Sequence, residues 1–142
     1  NFSEHHIQDV HNIEVASNLT PWSKKTFLKV LENRSISFVI RSDENVVAFC
    51  IANKVVDECH LQNIAVIENL RGKGIGAFMM NILFKRAKLS DLHSIILEVR
   101  ESNDIARKFY RDNGFEELSV RKDYYKTEKG HENAVIMRLK VL

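Results

Sequence analysis

The stretch RGKGIG, at residues 71–76, holds three of the five glycines in this chain of 142 residues. It follows an apolar run at residues 64–66 and leads into residues 77–84, where apolar side chains recur at helical spacing. The predicted order is therefore a strand, a glycine loop and a helix. Glycines allow close backbone approach to a ligand, and a helix N-terminus adds unpaired N–H donors and the positive end of its dipole. With the cations of Arg71 and Lys73, the stretch predicts a site for a phosphate or pyrophosphate group.

Known phosphate-binding patterns differ in how well they fit this loop. The nucleotide P-loop needs GKS or GKT at a spacing that this sequence lacks. The dinucleotide fingerprint is met loosely, by Gly72-x-Gly74-x-x-Ala77, but residues 67–71 separate it from the strand that it should follow directly. The pattern Arg-x-x-Gly-x-Gly fits without strain, through Arg71, Gly74 and Gly76. A tight turn before a core helix is the alternative without a ligand.

The composition is that of one globular domain, which we expect to span residues 1–142. A net charge of +2 is too small to favour nucleic acid by itself, and neither an apolar run of membrane-spanning length nor a signal peptide is visible. Cys50 and Cys59 lie in apolar segments and are predicted to be reduced core thiols. We therefore expect a cytoplasmic protein with no metal and no membrane or direct nucleic-acid partner.

Hydrophobic periodicity predicts four helices and about six strands in an α/β layered domain, a mixed sheet with helices on both faces. Gln62 and Asn63 interrupt the alternation of the third strand, which indicates a bulge or a splay. Residues 121–125 are predicted to connect the last two strands. The predicted helices are 4–17, one capped by Ser23, 75–88 and 103–112, and the predicted strands are 36–40, 46–52, 59–66, 93–100, 115–120 and 134–139.

Candidate catalytic groups lie on and after the strand at residues 93–100. Glu98 shares a face with Ile96 near the carboxyl end of this strand, where ligands bind in open α/β sheets. Burial there would desolvate the carboxylate, and desolvation raises a carboxyl pKa toward the range that a general base needs. An ion pair with a nearby Arg or Lys is the alternative. Asn103 can cap the next helix or bind a ligand amide, and Tyr110 is predicted to be a core tyrosine with its hydroxyl at the edge.

Separate motifs occur in the order found in one known family. This chain resembles the GCN5-related N-acetyltransferase (GNAT) family, and within it the RimI-type branch, over about residues 7–139. The fold implied is a mixed, mostly antiparallel sheet of about six to seven strands with helices on both faces. The motifs are Pro21-Trp22-Ser23, residues 63–66, RGKGIG, Leu97-Glu98-Val99-Arg100-x-Ser102-Asn103, Phe109-Tyr110-x-x-x-Gly114-Phe115 and Arg121-x-x-Tyr124-Tyr125.

The resemblance implies acetyl-CoA as cosubstrate and the N-terminal alanine of a small-subunit ribosomal protein as acceptor. It also implies a role for each matching residue. Glu98 would be the general base and Tyr110 the general acid. The cosubstrate contacts would be Ile64, Ala65, Val66, Arg71, Gly72, Lys73, Gly74, Ile75, Gly76, Ala77 and Asn103.

Acid–base chemistry favours an N-terminal amine, because an α-amine has a pKa near ~8 and a lysine side chain one near ~10.4. Proton transfer from a phenol with a pKa of ~10 to a thiolate whose thiol has a pKa of ~8.5 is uphill in free energy. Tyr110 as acid therefore needs a lowered pKa or a concerted transfer. Trp22, Tyr124 and Tyr125 could wall a slot for the peptide, or pack under a hairpin. Adjacent residues on a strand point to opposite faces, so the two tyrosines are not both expected in the core.

Other functions stay open at this level. The same fold could acetylate lysines or small amines, or the chain could be a non-catalytic acyl-CoA-binding module. A nicotinamide-dinucleotide domain would rest on the loose glycine match with Glu98 about twenty residues on. The six histidines form no recognisable ligand set.

Overall fold

The computed structural model describes residues 1–33 and 36–142. These residues form four α-helices and six strands, with 3₁₀ turns at Glu4–His6 and Glu68–Leu70. In chain order the elements are α1 (Ile7–Ser17), α2 (Lys24–Glu32), β1 (Phe38–Ser42), β2 (Asn45–Val55), β3 (Glu58–Val66), α3 (Ile75–Leu89), β4 (Ser94–Arg100), α4 (Asp104–Asp112), β5 (Glu116–Thr127) and β6 (Gly130–Lys140).

All six strands belong to one sheet in the order β1-β2-β3-β4-β6-β5. The pair β3 and β4 is parallel, and the other neighbours are antiparallel. The mixed, mostly antiparallel sheet is therefore confirmed. The single parallel pair also argues against the dinucleotide-binding alternative, which needs several parallel strands in succession.

Side chains of β2 alternate between two apolar cores, one on each face of the sheet. Phe49 and Ile51 pack with the apolar side of α1 and α2, whereas Ala48 and Cys50 belong to the core that includes α3. Helices on both faces are thus confirmed. Cys50 and Cys59 are free thiols in the core, as predicted.

The sheet opens between β3 and β4. Registered parallel pairs run from Glu58↔Ser94 to Leu61↔Leu97. On the other side of β3 the register with β2 shifts at Gln62, because Ile51 pairs with Asn63 while Ala52 pairs with Leu61. The predicted irregularity at Gln62 and Asn63 is therefore confirmed, and it lies where the two parallel strands begin to diverge.

The final hairpin is longer than predicted. Residues 121–125 belong to β5 and do not form a connection, so that prediction is wrong. Almost every side chain of β5 is exposed, which removes the apolar alternation on which the prediction relied. The register with β6 shifts between Arg121 and Tyr125, and Asp123 there has a positive φ of 55°. This bulge bends the strand toward the open part of the sheet.

Helix ends follow local capping chemistry. Ser23 accepts a hydrogen bond from the Thr26 amide at 3.2 Å, which confirms it as the N-cap of α2. Gly114, with φ of 95°, follows α4 and ends it in the left-handed conformation that glycine favours. Among the described residues, no helix is both long and apolar enough to cross a bilayer.

Candidate active site

A cavity of about 410 Å³ lies where β3 and β4 diverge. Its wall combines the C-terminal halves of these strands with Ala106 and Tyr110 of α4, the end of α1 and the connection between α1 and α2. The predicted residues that it brings together are Trp22, Ile64, Ala65, Glu98, Asn103, Tyr110 and Tyr125. The proposed base on β4 and the proposed acid on α4 thus share one cavity.

A second cavity, of about 680 Å³, contains the glycine loop. Ile64, Ala65, Asn103 and Tyr110 line both cavities, which makes them neighbours. Of the predicted cosubstrate residues, Lys73 is exposed and lies outside this wall. The wall includes Ile64, Ala65, Val66, Arg71, Gly72, Gly74, Ile75, Gly76, Ala77 and Asn103.

A third cavity, of about 410 Å³, opens on the opposite side of Glu98. Trp22, Tyr124 and Tyr125 all line it, together with His60 and other residues of β3 and β4. The three cavities therefore form a series. Glu98 lies where the first cavity meets the third, and Tyr110 where the first meets the second.

Glycine is required at two positions of the loop for different structural reasons. Gly74 is the N-cap of α3 and has φ of 86°, a left-handed conformation that side chains disfavour. At Gly76 a Cβ atom would lie 3.0 Å from the Phe109 ring, so only glycine lets α3 pack this closely on α4. The loop therefore presents the first amides of α3 to the second cavity, as an anion site requires.

Arg71 makes a different set of contacts from the one expected of a phosphate ligand. Its Nε donates to the Val66 carbonyl at 2.9 Å, and an Nη donates to Ser17 Oγ at 3.0 Å. The guanidinium thus ties the glycine loop to β3 and to the end of α1, while Arg71 still lines the second cavity.

Replacing Gly74 with alanine should lower the free energy of unfolding by about 1 kcal/mol, because a non-glycine residue at positive φ is strained. It should also weaken acetyl-CoA binding severalfold by turning the α3 amides. The matched control is Gly130→Ala, at φ of 127° in the β5–β6 turn. That variant should lose similar stability in thermal unfolding and keep full affinity in calorimetry. Equal affinity loss in both variants would contradict the assignment of the loop.

Glu98 is not desolvated, contrary to expectation. Its side chain is 33% exposed and one oxygen lies 3.5 Å from an Arg121 Nη. The hydroxyl of Tyr124 also hydrogen-bonds to Glu98, and this bond is the main cause of the raised pKa of Tyr124. The ion pair with a nearby Arg is therefore present, and Glu98 still lines the cavity. Glu98 is a solvent-accessible carboxylate that two side chains of β5 hold in place.

Tyr110 is 9% exposed and packs between the rings of Phe109 and Phe115. Its predicted core position is confirmed. Burial raises the pKa of its phenol above the ordinary value, and the nearby Cys50 and Tyr125 raise it further. Of the two conditions considered for this acid, the lowered pKa is therefore not supported. Among the described residues, the hydroxyl has no hydrogen-bond partner.

Asn103 caps α4, because its Oδ1 accepts a hydrogen bond from the Ala106 amide at 3.1 Å. Tyr124 and Tyr125 do not point to opposite sides of the sheet. Their ring centroids are 4.9 Å apart and both rings line the third cavity. Tyr124 is 42% exposed and Tyr125 is half-buried, so the prediction that they are not both in the core is confirmed. Their rings nevertheless line one cavity, because the register of β5 shifts just before Tyr125.

Covalent and metal-dependent chemistry find little support in the side chains present. Burial raises the pKa of the Cys59 thiol to about 12, and it raises that of Cys50 as well, so neither is an activated nucleophile. No group of three or more His, Cys, Asp or Glu side chains within residues 1–33 and 36–142 could hold a metal ion.

Comparison with known proteins agrees with this geometry. A sequence profile described as the acetyltransferase (GNAT) family matches residues 7–115. The chain belongs to the acetyltransferase (GNAT) family. As a GNAT protein it is an N-acetyltransferase with acetyl-CoA as cosubstrate. The second cavity fits this molecule, because the exposed α3 amides can hold its pyrophosphate and the β3 segment can hold the arm that carries the acetyl group.

Individual members of the family are similar to this chain over most of its length. The [ribosomal protein bS18]-alanine N-acetyltransferase of Salmonella typhimurium is 36% identical over 129 residues, which cover 91% of this chain and 87% of the relative. The crystal structure of the ribosomal-protein-S18-alanine N-acetyltransferase from Escherichia coli superposes with a TM-score of 0.91 at 32% identity, covering 99% of this chain and 90% of that one. The crystal structure of Ard1 from Thermoplasma volcanium superposes with a TM-score of 0.90 at 27% identity, covering 99% of this chain and 95% of that one.

Sequence reasoning missed two side chains of the site. Arg121 was part of a motif but had no assigned role, and it forms the ion pair with Glu98. Glu14 lies in the wall of the first cavity and is fully buried. A signal for Glu14 was present, because it stands at the i+4 and i+7 positions from Val10 and Ile7 on the apolar face of α1.

Proposed function

We propose that this GNAT protein transfers the acetyl group of acetyl-CoA to the N-terminal alanine of a ribosomal protein. The observation that carries the proposal is the series of cavities, which puts Glu98 between the cosubstrate wall and an aromatic-walled opening. The names of the relatives that share 34–36% identity support the same acceptor. Such an acceptor implies a cytoplasmic protein, and the one continuous sheet supports residues 1–142 as a single catalytic domain.

The residues of the cavity divide the reaction between them. Acetyl-CoA supplies a thioester carbonyl, at which the amine forms an N–C bond while the C–S bond breaks. Glu98 accepts the proton that leaves the amine, directly or through water. Amide groups of residues 64–66, which line the second cavity, donate to the developing oxyanion. Tyr110 gives its proton to the departing sulfur and then regains one from solvent.

The exposure of Glu98 suits an α-amine better than a lysine. Glu98 is open to solvent and contacts Arg121, so it suits an acceptor of which part is already neutral at pH 7. The free-amine fraction of an α-amine at pH 7 exceeds that of lysine roughly 100-fold or more. The raised pKa of Tyr110 supports proton transfer concerted with C–S cleavage, because a free phenol would not give its proton to a thiolate.

Acetyl transfer to three synthetic peptides tests the proposal. One copies the N-terminus of the ribosomal protein and begins with alanine, one is the same peptide with a blocked N-terminus, and one carries an internal lysine behind a blocked N-terminus. Mass spectrometry should show acetylation of the free α-amine alone, at a rate roughly 100-fold above that of lysine. Comparable lysine acetylation, or transfer only to small amines, would refute this acceptor.

A further inference from the structure

Glu14 is a buried carboxylate in the active-site cavity that the mechanism above does not use. It is 1% exposed and lines the same cavity as Glu98 and Tyr110. Its Oε2 accepts two hydrogen bonds, from Asn63 Nδ2 at 2.7 Å and from the Trp22 amide at 3.1 Å. Within the described residues, Oε1 has no hydrogen-bond partner and neither oxygen has a cation at ion-pair distance.

The other charged side chains of this cavity are compensated. Glu98 pairs with Arg121, and Arg100 lies 3.5 Å from Glu132. Burying a carboxylate without a cation is costly, and two hydrogen bonds to one oxygen offset only part of that cost. Among the described residues of the wall, Glu14 is therefore the uncompensated negative charge, and its free oxygen is suited to an incoming cation.

We propose that Glu14 binds the α-ammonium group of the peptide substrate before transfer, an inference that rests on the proposed function. An α-amine with a pKa near ~8 arrives mainly as ammonium at neutral pH. Oε1 accepts an N–H of that ammonium while Oε2 keeps its bonds to Asn63 and Trp22. Glu98 takes one ammonium proton and passes it to solvent, and the neutral nitrogen then attacks the thioester carbonyl. Glu98 accepts the second proton from that nitrogen while the C–S bond breaks and Tyr110 protonates the departing sulfur.

The position of Glu14 makes such binding useful for transfer. Asn63 directly precedes the segment of β3 that lines the cosubstrate cavity, and Trp22 walls the opening on the peptide side. A carboxylate that is hydrogen-bonded to Asn63 and Trp22 therefore holds the amine between the cosubstrate cavity and the peptide opening. Electrostatic attraction would also favour the free N-terminus over the acetylated product, which has lost its charge.

A purely structural role is the competing explanation, because the same two hydrogen bonds fix the α1–α2 connection to β3. Truncation to alanine would be harmful under either explanation. Glu14→Gln separates them, since its amide oxygen can still accept both hydrogen bonds while the charge is lost. Asp9→Asn is the matched control, being the same change of charge at an exposed position of the same helix.

The experiment measures steady-state constants and peptide affinity for wild type, Glu14→Gln and Asp9→Asn. In Glu14→Gln we expect KM for the alanine peptide to rise roughly tenfold, as loss of a charge-assisted hydrogen bond implies. KM for acetyl-CoA and the melting temperature should stay unchanged. The preference for the free peptide over its N-acetylated form should shrink by the same factor, and Asp9→Asn should match wild type.

A pH profile adds a readout that a structural role would not move. A carboxylate contact raises the pKa of the bound ammonium, so its loss should shift the acid limb of kcat to lower pH. The other titratable or charged groups of the wall are Glu98 and Arg100 on β4, Tyr110 on α4 and Tyr125 on β5, and none of them is altered in the variant.

Two results would overturn the inference alone. One is a well-folded Glu14→Gln enzyme with wild-type KM for the peptide. The other needs no variant: wild-type protein that binds the N-acetylated peptide as tightly as the free peptide at pH 7. Wild-type protein that acetylates no peptide amine would overturn the proposed function and this inference together.

Discussion

Glu98→Gln is expected to lower kcat/KM for acetyl transfer about 100- to 10,000-fold, the usual contribution of a general base. The amide cannot accept the proton that leaves the amine. The melting temperature should change little, because the ion pair with Arg121 is exposed to solvent. Acetyl-CoA affinity should be retained, since Glu98 does not line the cosubstrate cavity. Stopped assays with the alanine peptide, together with calorimetry for acetyl-CoA, measure both quantities.

The matched control is Glu128→Gln, which removes the same charge from the exposed turn between β5 and β6. It should leave both kinetic constants at their wild-type values. A Glu98→Gln enzyme within a factor of about ten of wild type would mean that Glu98 is not the base. Attention would then pass to Glu14, the other carboxylate of the cavity.

The parts of the fold that sequence predicted are those with strong local signals. A nearly continuous apolar run marked β2, helical spacing marked α3, and RGKGIG marked the turn between β3 and α3 because glycine is needed there for positive φ and close packing. The end of β5 had no such signal. Its side chains are solvated on both faces, and its strand character comes from backbone pairing with β6, which no local pattern records.

The residues of the candidate site also differ in whether local sequence predicted their positions. Motifs that are contiguous in the sequence, except at Lys73, predicted which residues line the second cavity. The environment of Glu98 did not, because it depends on Arg121 and Tyr124 of a strand that a bulge brings into place. Strand alternation also failed for Tyr124 and Tyr125 at that bulge. Long-range register decides such contacts, and the sequence of one element cannot reveal them.

Tyr110→Phe is expected to lower kcat about 100- to 10,000-fold, the range for loss of a general acid, without loss of stability. The phenylalanine ring keeps the contacts with Phe109 and Phe115. The deleted hydroxyl has no partner among the described residues, so no buried group is left unpaired by its removal. Thermal unfolding should therefore give a melting temperature equal to or above that of wild type, while peptide acetylation is nearly abolished.

The pH dependence of the wild-type enzyme tests the same assignment. Because burial raises the pKa of Tyr110, its phenol stays protonated until the pH exceeds the ordinary tyrosine value. A general acid loses activity as pH rises through its pKa, so kcat/KM should show no falling limb from Tyr110 below about pH 10. Tyr110→Phe with near-wild-type kcat would instead make solvent the proton donor to sulfur, and the buried phenol a packing residue of α4.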